Sequence, residues 1–176
     1  MTTQDTKPTK VLFLDIDGVL NSRRSVVACN GYPHGFTKVD LEKFDWIAVG
    51  LIRKLCEETD TSICLSSSWR LIHSVHECAN GLDLPIFDKT PSLNSNRGVQ
   101  INVWLAEHPE VTCYAIVDDD ADMMPQQVPF FVRTNERNGL SIQDFANLKR
   151  ILKGLTDADE AIAFGVDEFS FEASRT

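Results

Sequence analysis

The chain alternates short apolar runs with amphipathic stretches. The first run, Val11-Leu12-Phe13-Leu14, has no polar residue at alternate positions, the pattern of a strand covered on both faces. It ends abruptly at Asp15-Ile16-Asp17-Gly18. A loop rich in Gly, Asn and Pro follows from Asn21 to Phe36, and Asp45 to Thr59 then places Ala48, Ile52, Leu55 and Cys56 at helical spacing. Ser62-Ile63-Cys64-Leu65 predicts a second strand. It runs into Ser66-Ser67-Ser68-Trp69-Arg70, after which Trp69, Ile72 and His76 predict a helix closed by Asn80-Gly81.

The alternation continues. Pro85-Ile86-Phe87 reads as a short third strand, and Arg97 opens a helix with Ile101, Trp104, Leu105 and His108 on one side, stopped by Pro109. Thr112 to Val117 forms a further apolar run ending in Asp118-Asp119-Asp120. A strand from Pro129 to Arg133 is predicted next. The last helix starts at Ser141-x-x-Asp144, a capping-box pattern, and buries Ile142, Phe145, Leu148 and Leu152. Strands alternating with helices predict an α/β fold: a doubly wound, three-layer parallel sheet with right-handed crossovers. Residues 1–9 are expected to be a flexible N-terminus, 10–155 a single catalytic domain and 156–176 an acidic tail.

With 176 residues, 43% of them apolar, the chain suffices for one well-buried core, so one site on one fold is expected. A net charge of -9 and a pI near 4.8 argue against broad adhesion to nucleic acid or anionic membrane, though not against local binding of a nucleic-acid end. Five cysteines, an odd number without a CxxC pair, fit a reduced setting. The polar start, and the lack of any apolar run long enough for a membrane span, complete the expectation of a cytoplasmic protein without membrane association.

In open parallel sheets the ligand site lies beyond the carboxyl ends of the strands. The residues there are Asp15 and Asp17 after the first strand, Ser66 and Ser67 after the second, and Asp118 and Asp119 after the later one. Carboxylates brought together repel one another unless a cation neutralises them, and an all-oxygen set favours Mg2+ over zinc. Magnesium in turn points to phosphate chemistry. An EF-hand calcium loop is excluded: counting from Asp15 or Asp118 places Val26 or Pro129 at the twelfth position, and neither loop has Gly at the sixth.

Val11 to Leu20 resembles the first signature motif of the haloacid dehalogenase-like superfamily. Ser66 resembles its second motif, Arg97 its third and Ile116-Val117-Asp118-Asp119 its acidic fourth, in the family's order. Within the superfamily, Leu65-Ser66-Ser67-Ser68-Trp69-Arg70 and Arg97-Gly98-x-x-Ile101-x-x-Trp104-Leu105 are similar to the phosphatase modules of RNA-repair enzymes. The resemblance implies Asp15 as a nucleophile that is transiently phosphorylated and Asp17 as the acid that protonates the leaving oxygen and then activates water. It implies Ser66 as a hydrogen-bond donor to the phosphoryl group and Arg97 as the stabilising cation, with Lys89 as the alternative. It further implies Mg2+ held by Asp15, Asp118, Asp119 and the backbone carbonyl of Asp17, and Gly18, Ser67 and Arg70 in contact with substrate.

Each candidate has a plainer reading. Asp120 and Asp122 read better as exposed loop acids, and His73 and His76 as helix surface. Arg23, Arg24 and Arg70 are candidates for a distal phosphate but are also ordinary exposed arginines. Trp46, Trp69 and Trp104 read as core anchors, with Trp69, beside the second motif, the exception. Little chain is left for a cap: residues 21–45 have room for a flap and 88–96 only for a loop. An open site of this kind admits a phosphorylated nucleic-acid end or a phosphoprotein, and closure by a partner subunit in a homo-oligomer would restore small nucleotides as candidates. Two rivals from other classes are a receiver domain and a binding module without turnover. The adjacent acids of a receiver follow its first strand, whereas here they come late.

Overall fold

The computed structural model describes residues 8–155, so the expectations for the first seven residues and for the tail from 156 lie outside them. Five parallel strands form one sheet in the order β3-β2-β1-β4-β5. They are β1 (Lys10–Leu14), β2 (Ser62–Leu65), β3 (Ile86–Lys89), β4 (Cys113–Asp118) and β5 (Phe131–Arg133). The chain steps outward from β1 to β2 and β3, then returns through a helix to lay β4 against the other edge of β1. The strand order therefore reverses between β1 and β4, and a crevice opens beyond their carboxyl ends.

The continuous burial of β1 follows from helices on both faces. Leu12 and Leu14 point into a large core with α3 (Trp46–Thr59), α4 (Val75–Leu82) and α6 (Ile142–Lys153). Val11 and Phe13 point the other way, against Ile101 and Trp104 of α5 (Arg97–Glu107), where the rings of Phe13 and Trp104 meet edge to face at 5.3 Å. The segment between β1 and α3 holds two short helices, α1 (Arg23–Ala28) and α2 (Lys38–Leu41), which match the predicted flap. The Ser141–Asp144 capping box forms as expected, and Phe145, Leu148 and Leu152 are buried, but Ile142, in the first turn, is exposed rather than buried.

Four local expectations are corrected. The strand predicted from Pro129 starts only at Phe131, because Pro125–Phe130 winds into a 3-10 helix; Pro129 has no N–H to give a ladder. The helix predicted from Trp69 is a 3-10 turn, Ser68–Leu71, and α4 restarts at a Ser74 capping box. Asn80-Gly81 lies inside α4, which ends instead at Asp83 in the left-handed region, φ 52°. Trp46 is 43% exposed rather than core, since it opens α3 at the surface, where its Nε1 donates to Leu41 O at 2.7 Å.

Gly98, in the first turn of α5, lies against the loop after β4. A Cβ there would come 2.6 Å from Met124 N and 2.9 Å from Met123 Cα, both main-chain atoms that cannot swing aside. Gly98→Ala is expected to lower stability by about 1–3 kcal/mol by overpacking, read as a lower thermal midpoint. An unchanged midpoint would show that the 119–127 loop yields freely.

Candidate active site

Sheet register creates the site. Leu14 pairs with Leu65 on one side and Val117 on the other, so the next residues, Asp15, Ser66 and Asp118, fall in one row. Main-chain bonds extend the row past the ladder: Asp15 N donates to Val117 O at 3.1 Å, Ser66 N to Leu14 O at 3.0 Å and Thr134 N to Asp118 O at 2.9 Å. The backbone thus fixes these side chains before any contact between them.

Asp15, Asp118 and Asp119 each bring a carboxylate oxygen into a cluster whose atoms all lie within 4.8 Å of one another. Asp15 and Asp118 are buried and Asp119 half-buried. Arg97 reaches over from the start of α5, its Nη1 donating to Asp15 Oδ1 at 2.8 Å and lying 3.1 Å from Asp118 Oδ2. The second approach is a charge contact rather than a hydrogen bond, and Asp118 Oδ2 is buried with no hydrogen-bond partner. Of the two cations weighed from sequence, Arg97 is the one at the carboxylates; Lys89 Nζ donates to the main-chain oxygen of Arg70 at 3.1 Å.

Burial pushes the Asp15 carboxyl up, with Arg97 and the Ser67 hydroxyl opposing. Burial, and then the nearby Asp15 charge, push Asp118 up to about 7 and raise Asp119 as well. Arg97 is held above its ordinary value: burial works against its charge, but Asp15 and Asp118 outweigh it. One guanidinium thus faces three acids, so the cluster lacks positive charge. An all-oxygen set with an orphaned buried carboxylate oxygen fits a hard divalent cation.

Asp17 stands apart. Its Oδ1 accepts from Asn21 Nδ2 at 2.8 Å and its Oδ2 from Trp69 Nε1 at 3.0 Å. Gly18, the next residue, turns the chain close against the cluster: its φ is +76°, and a Cβ would overlap the Asp119 carboxylate. Gly18 N donates to Asn21 Oδ1 and its carbonyl accepts from Thr134, so its backbone is engaged within the turn. Ser66 Oγ is fully buried without a hydrogen-bond partner, as is Thr90 Oγ1. Ser67 Oγ caps the 3-10 turn at Trp69 N.

Arg70, expected near substrate, is 7% exposed and bound to the scaffold instead. Its guanidinium donates to the carbonyls of Ser66, Ser67 and Thr90 at 2.8, 2.6 and 3.1 Å, and to Gln100 Oε1. Arg23 pairs with Glu136 and Arg24 with Asp45, both well exposed. His73 Nε2 lies 3.2 Å from His34 O, which ties the flap to the 3-10 turn, and His76 lies beside Asn80.

Sequence reasoning missed several supporting residues. Asp122, read as a loop acid, is half-buried and accepts from Arg97 N at 2.9 Å, anchoring the start of α5. Asn21 and Gln100 were not singled out either; a buried polar residue three places after Arg97 was the available signal. Asp120 is exposed, as expected.

The chain belongs to the family of HAD domains found in Swiss Army Knife RNA repair proteins, whose family model matches residues 11–145. That span runs from β1 into α6, and it places the protein among haloacid dehalogenase-like modules of the phosphatase type. No match is found among curated proteins or solved structures. No helix among the described residues is long and apolar enough to cross a membrane.

The raised acids have a consequence for stability. Asp118 binds its proton more tightly folded, near 7, than unfolded, near 3.8. Its contribution is therefore full below about pH 4 and is lost as pH rises through about 7. In chelator-treated protein, Asp118→Asn is expected to raise stability at pH 8 by about 1–2 kcal/mol, with the gain vanishing near pH 4. A gain independent of pH in paired thermal melts would show that burial does not strain this carboxylate.

Proposed function

We propose that the protein is a Mg2+-dependent phosphomonoesterase that works through a phosphorylated Asp15, acting on the terminal phosphate of a nucleic acid or on a nucleotide. The observation that carries this reading is the division of acids: Asp15 sits with Asp118, Asp119 and Arg97, while Asp17, two residues on, is held on the other side of the turn by Trp69 and Asn21. Nucleophile and proton donor need this kind of separation.

In the first step an oxygen of Asp15 bonds to phosphorus as the bond to the leaving oxygen breaks. The electron pair goes to that oxygen, which takes the proton of Asp17. In the second, a water loses a proton to Asp17 and attacks phosphorus; the bond to Asp15 breaks, restoring its carboxylate and freeing inorganic phosphate. Arg97 offsets negative charge against Asp15, and the Ser66 hydroxyl has a proton free for a phosphoryl oxygen. Asp15, Asp118 and Asp119 would hold Mg2+, which supplies positive charge against the repulsion between a carboxylate and a phosphate dianion. The RNA-repair context of the family supports a nucleic-acid end as substrate, and the small flap leaves room for one.

Phosphate release from 3'- and 5'-phosphorylated oligonucleotides, nucleotides and sugar phosphates tests the reading. Turnover is expected to need Mg2+, to fall at least about 1,000-fold in Asp15→Asn and about 100-fold or more in Asp17→Asn. No turnover on any substrate would favour a phosphate-accepting switch or a non-hydrolytic binding module on the same fold.

A further inference from the structure

Beside the acid cluster, on the Asp17 side, lies an open cavity of 550 Å³. The flap contributes Tyr32, Pro33 and His34, and the turn after β2 contributes Trp69, Leu71, Ile72 and His73. Three features restrict what it can take. First, Asp17 lines it. On the phosphatase reading Asp17 protonates the leaving oxygen, so the group that departs with that oxygen is the one next to this cavity.

Second, Asp17 is the only Asp, Glu, Lys or Arg among the residues that line it. A leaving group bearing a second phosphate against this wall would find no cation, only a carboxylate. Third, the wall is largely apolar and partly aromatic. Tyr32 on the flap is 45% exposed, and Leu71 and Ile72 on the turn after β2 are 61% and 82% exposed. Behind them the floor is rigid: Trp69 packs against His73 at 5.1 Å and against Phe36 and Phe44 at 5.4 and 5.6 Å. The contact of His73 Nε2 with His34 O ties the two sides together.

We infer that this cavity receives the base of the terminal nucleoside, with Tyr32 and Ile72 packing on its faces, so that the enzyme reads the leaving group of a nucleotide by its base. The inference rests on the proposed phosphatase activity and names the part of the substrate that sets its specificity. A nucleobase is planar, uncharged and apolar on both faces, which suits a cation-free wall. A sugar phosphate has only hydroxyls to offer, and the lining has few polar side chains to meet them: Ser68, Tyr32 and the histidines. A cavity of this volume lies within the usual range for small-ligand sites and suits a single nucleoside, so further nucleotides of a polymer would pass outward over the Leu71 and Ile72 rim.

Two measurements on the full chain test this. The first compares kcat/KM with Mg2+ for a nucleoside monophosphate and for ribose phosphate carrying phosphate at the same position, in the wild type and in Tyr32→Ala and Ile72→Ala. The nucleotide is expected to be favoured by at least about 10-fold, the size of one base stack, mostly through KM, and each variant is expected to shrink that ratio. The second measures binding of the same two compounds to Asp15→Asn by calorimetry, which does not depend on turnover. Turnover without base preference in either measurement overturns the inference and leaves the phosphatase reading standing. Base-dependent binding without turnover of any substrate sinks the phosphatase reading while the base pocket stands. Preference for a phosphotyrosine peptide over every nucleotide, with the same variants reducing it, overturns the inference in favour of a protein substrate.

Discussion

Everything in the crevice answers to the repulsion among Asp15, Asp118 and Asp119, held within 4.8 Å by strands whose register leaves them no choice. Two of the three are buried, and a charge buried beside like charges costs several kcal/mol unless it is neutralised. The positive charge in reach is Arg97, and much of the structure around α5 serves to deliver it. Asn96 caps the helix at Val99 N, Asp122 accepts from Arg97 N, and Gly98 has no side chain, so the loop after β4 can close on the helix. Gln127 completes the joint by donating to Gly98 O and accepting from Met124 N. The cation is placed from its own backbone outward, so it meets Asp15 with little freedom left to lose on ordering.

A second buried cation balances the opposite side. Arg70 gathers the carbonyls of Ser66, Ser67 and Thr90, the chain ends of β2 and β3, onto one planar donor. Main-chain oxygens beyond a strand end have lost their ladder partners, and a guanidinium with five N–H groups can satisfy several at once. Gln100 of α5 accepts from the same guanidinium and donates to Ser95 O. Arg97 and Gln100, one turn apart on α5, therefore link the strand that carries Asp15 to the neighbouring strand ends. The N–H groups of this arginine are thus engaged by the scaffold, and exposing it would unpin three carbonyls.

The sequence reveals the sheet because both of its faces are covered: Val11 to Leu14 and Ala115 to Val117 are apolar without alternation, in runs too short for a buried helix. The acids at strand ends were legible for the same reason, since each run stops sharply at a polar residue. What was not legible depended on side chains meeting across long separations. Asn80-Gly81 reads as a helix end, yet Gly81 is there to admit the Phe36 ring, 45 residues earlier in the chain, which spacing cannot reveal. Arg70 and Asp122 look like surface charges until Gln100 and Arg97 N arrive beside them. Trp46 failed in the other direction: a large aromatic at a helix start is apolar in composition, but position N1 put it at the surface.

The contrast between Asp15 and Asp17 shows how little chain is needed to give two identical side chains different surroundings. Only Ile16 lies between them, and Gly18, just after them, turns the backbone through a conformation closed to most side chains. Asp15 is left among acids with Arg97 on one oxygen. Asp17 is left with two neutral donors, Asn21 and Trp69, one on each oxygen. Neutral donors orient a carboxylate without committing it to a permanent partner of opposite charge. Trp69 does this while its ring packs into the Phe36 and Phe44 stack, which fixes the indole N–H. The same ring lines the cavity beside Asp17, so an occupant of that cavity would touch the residue that orients this carboxylate.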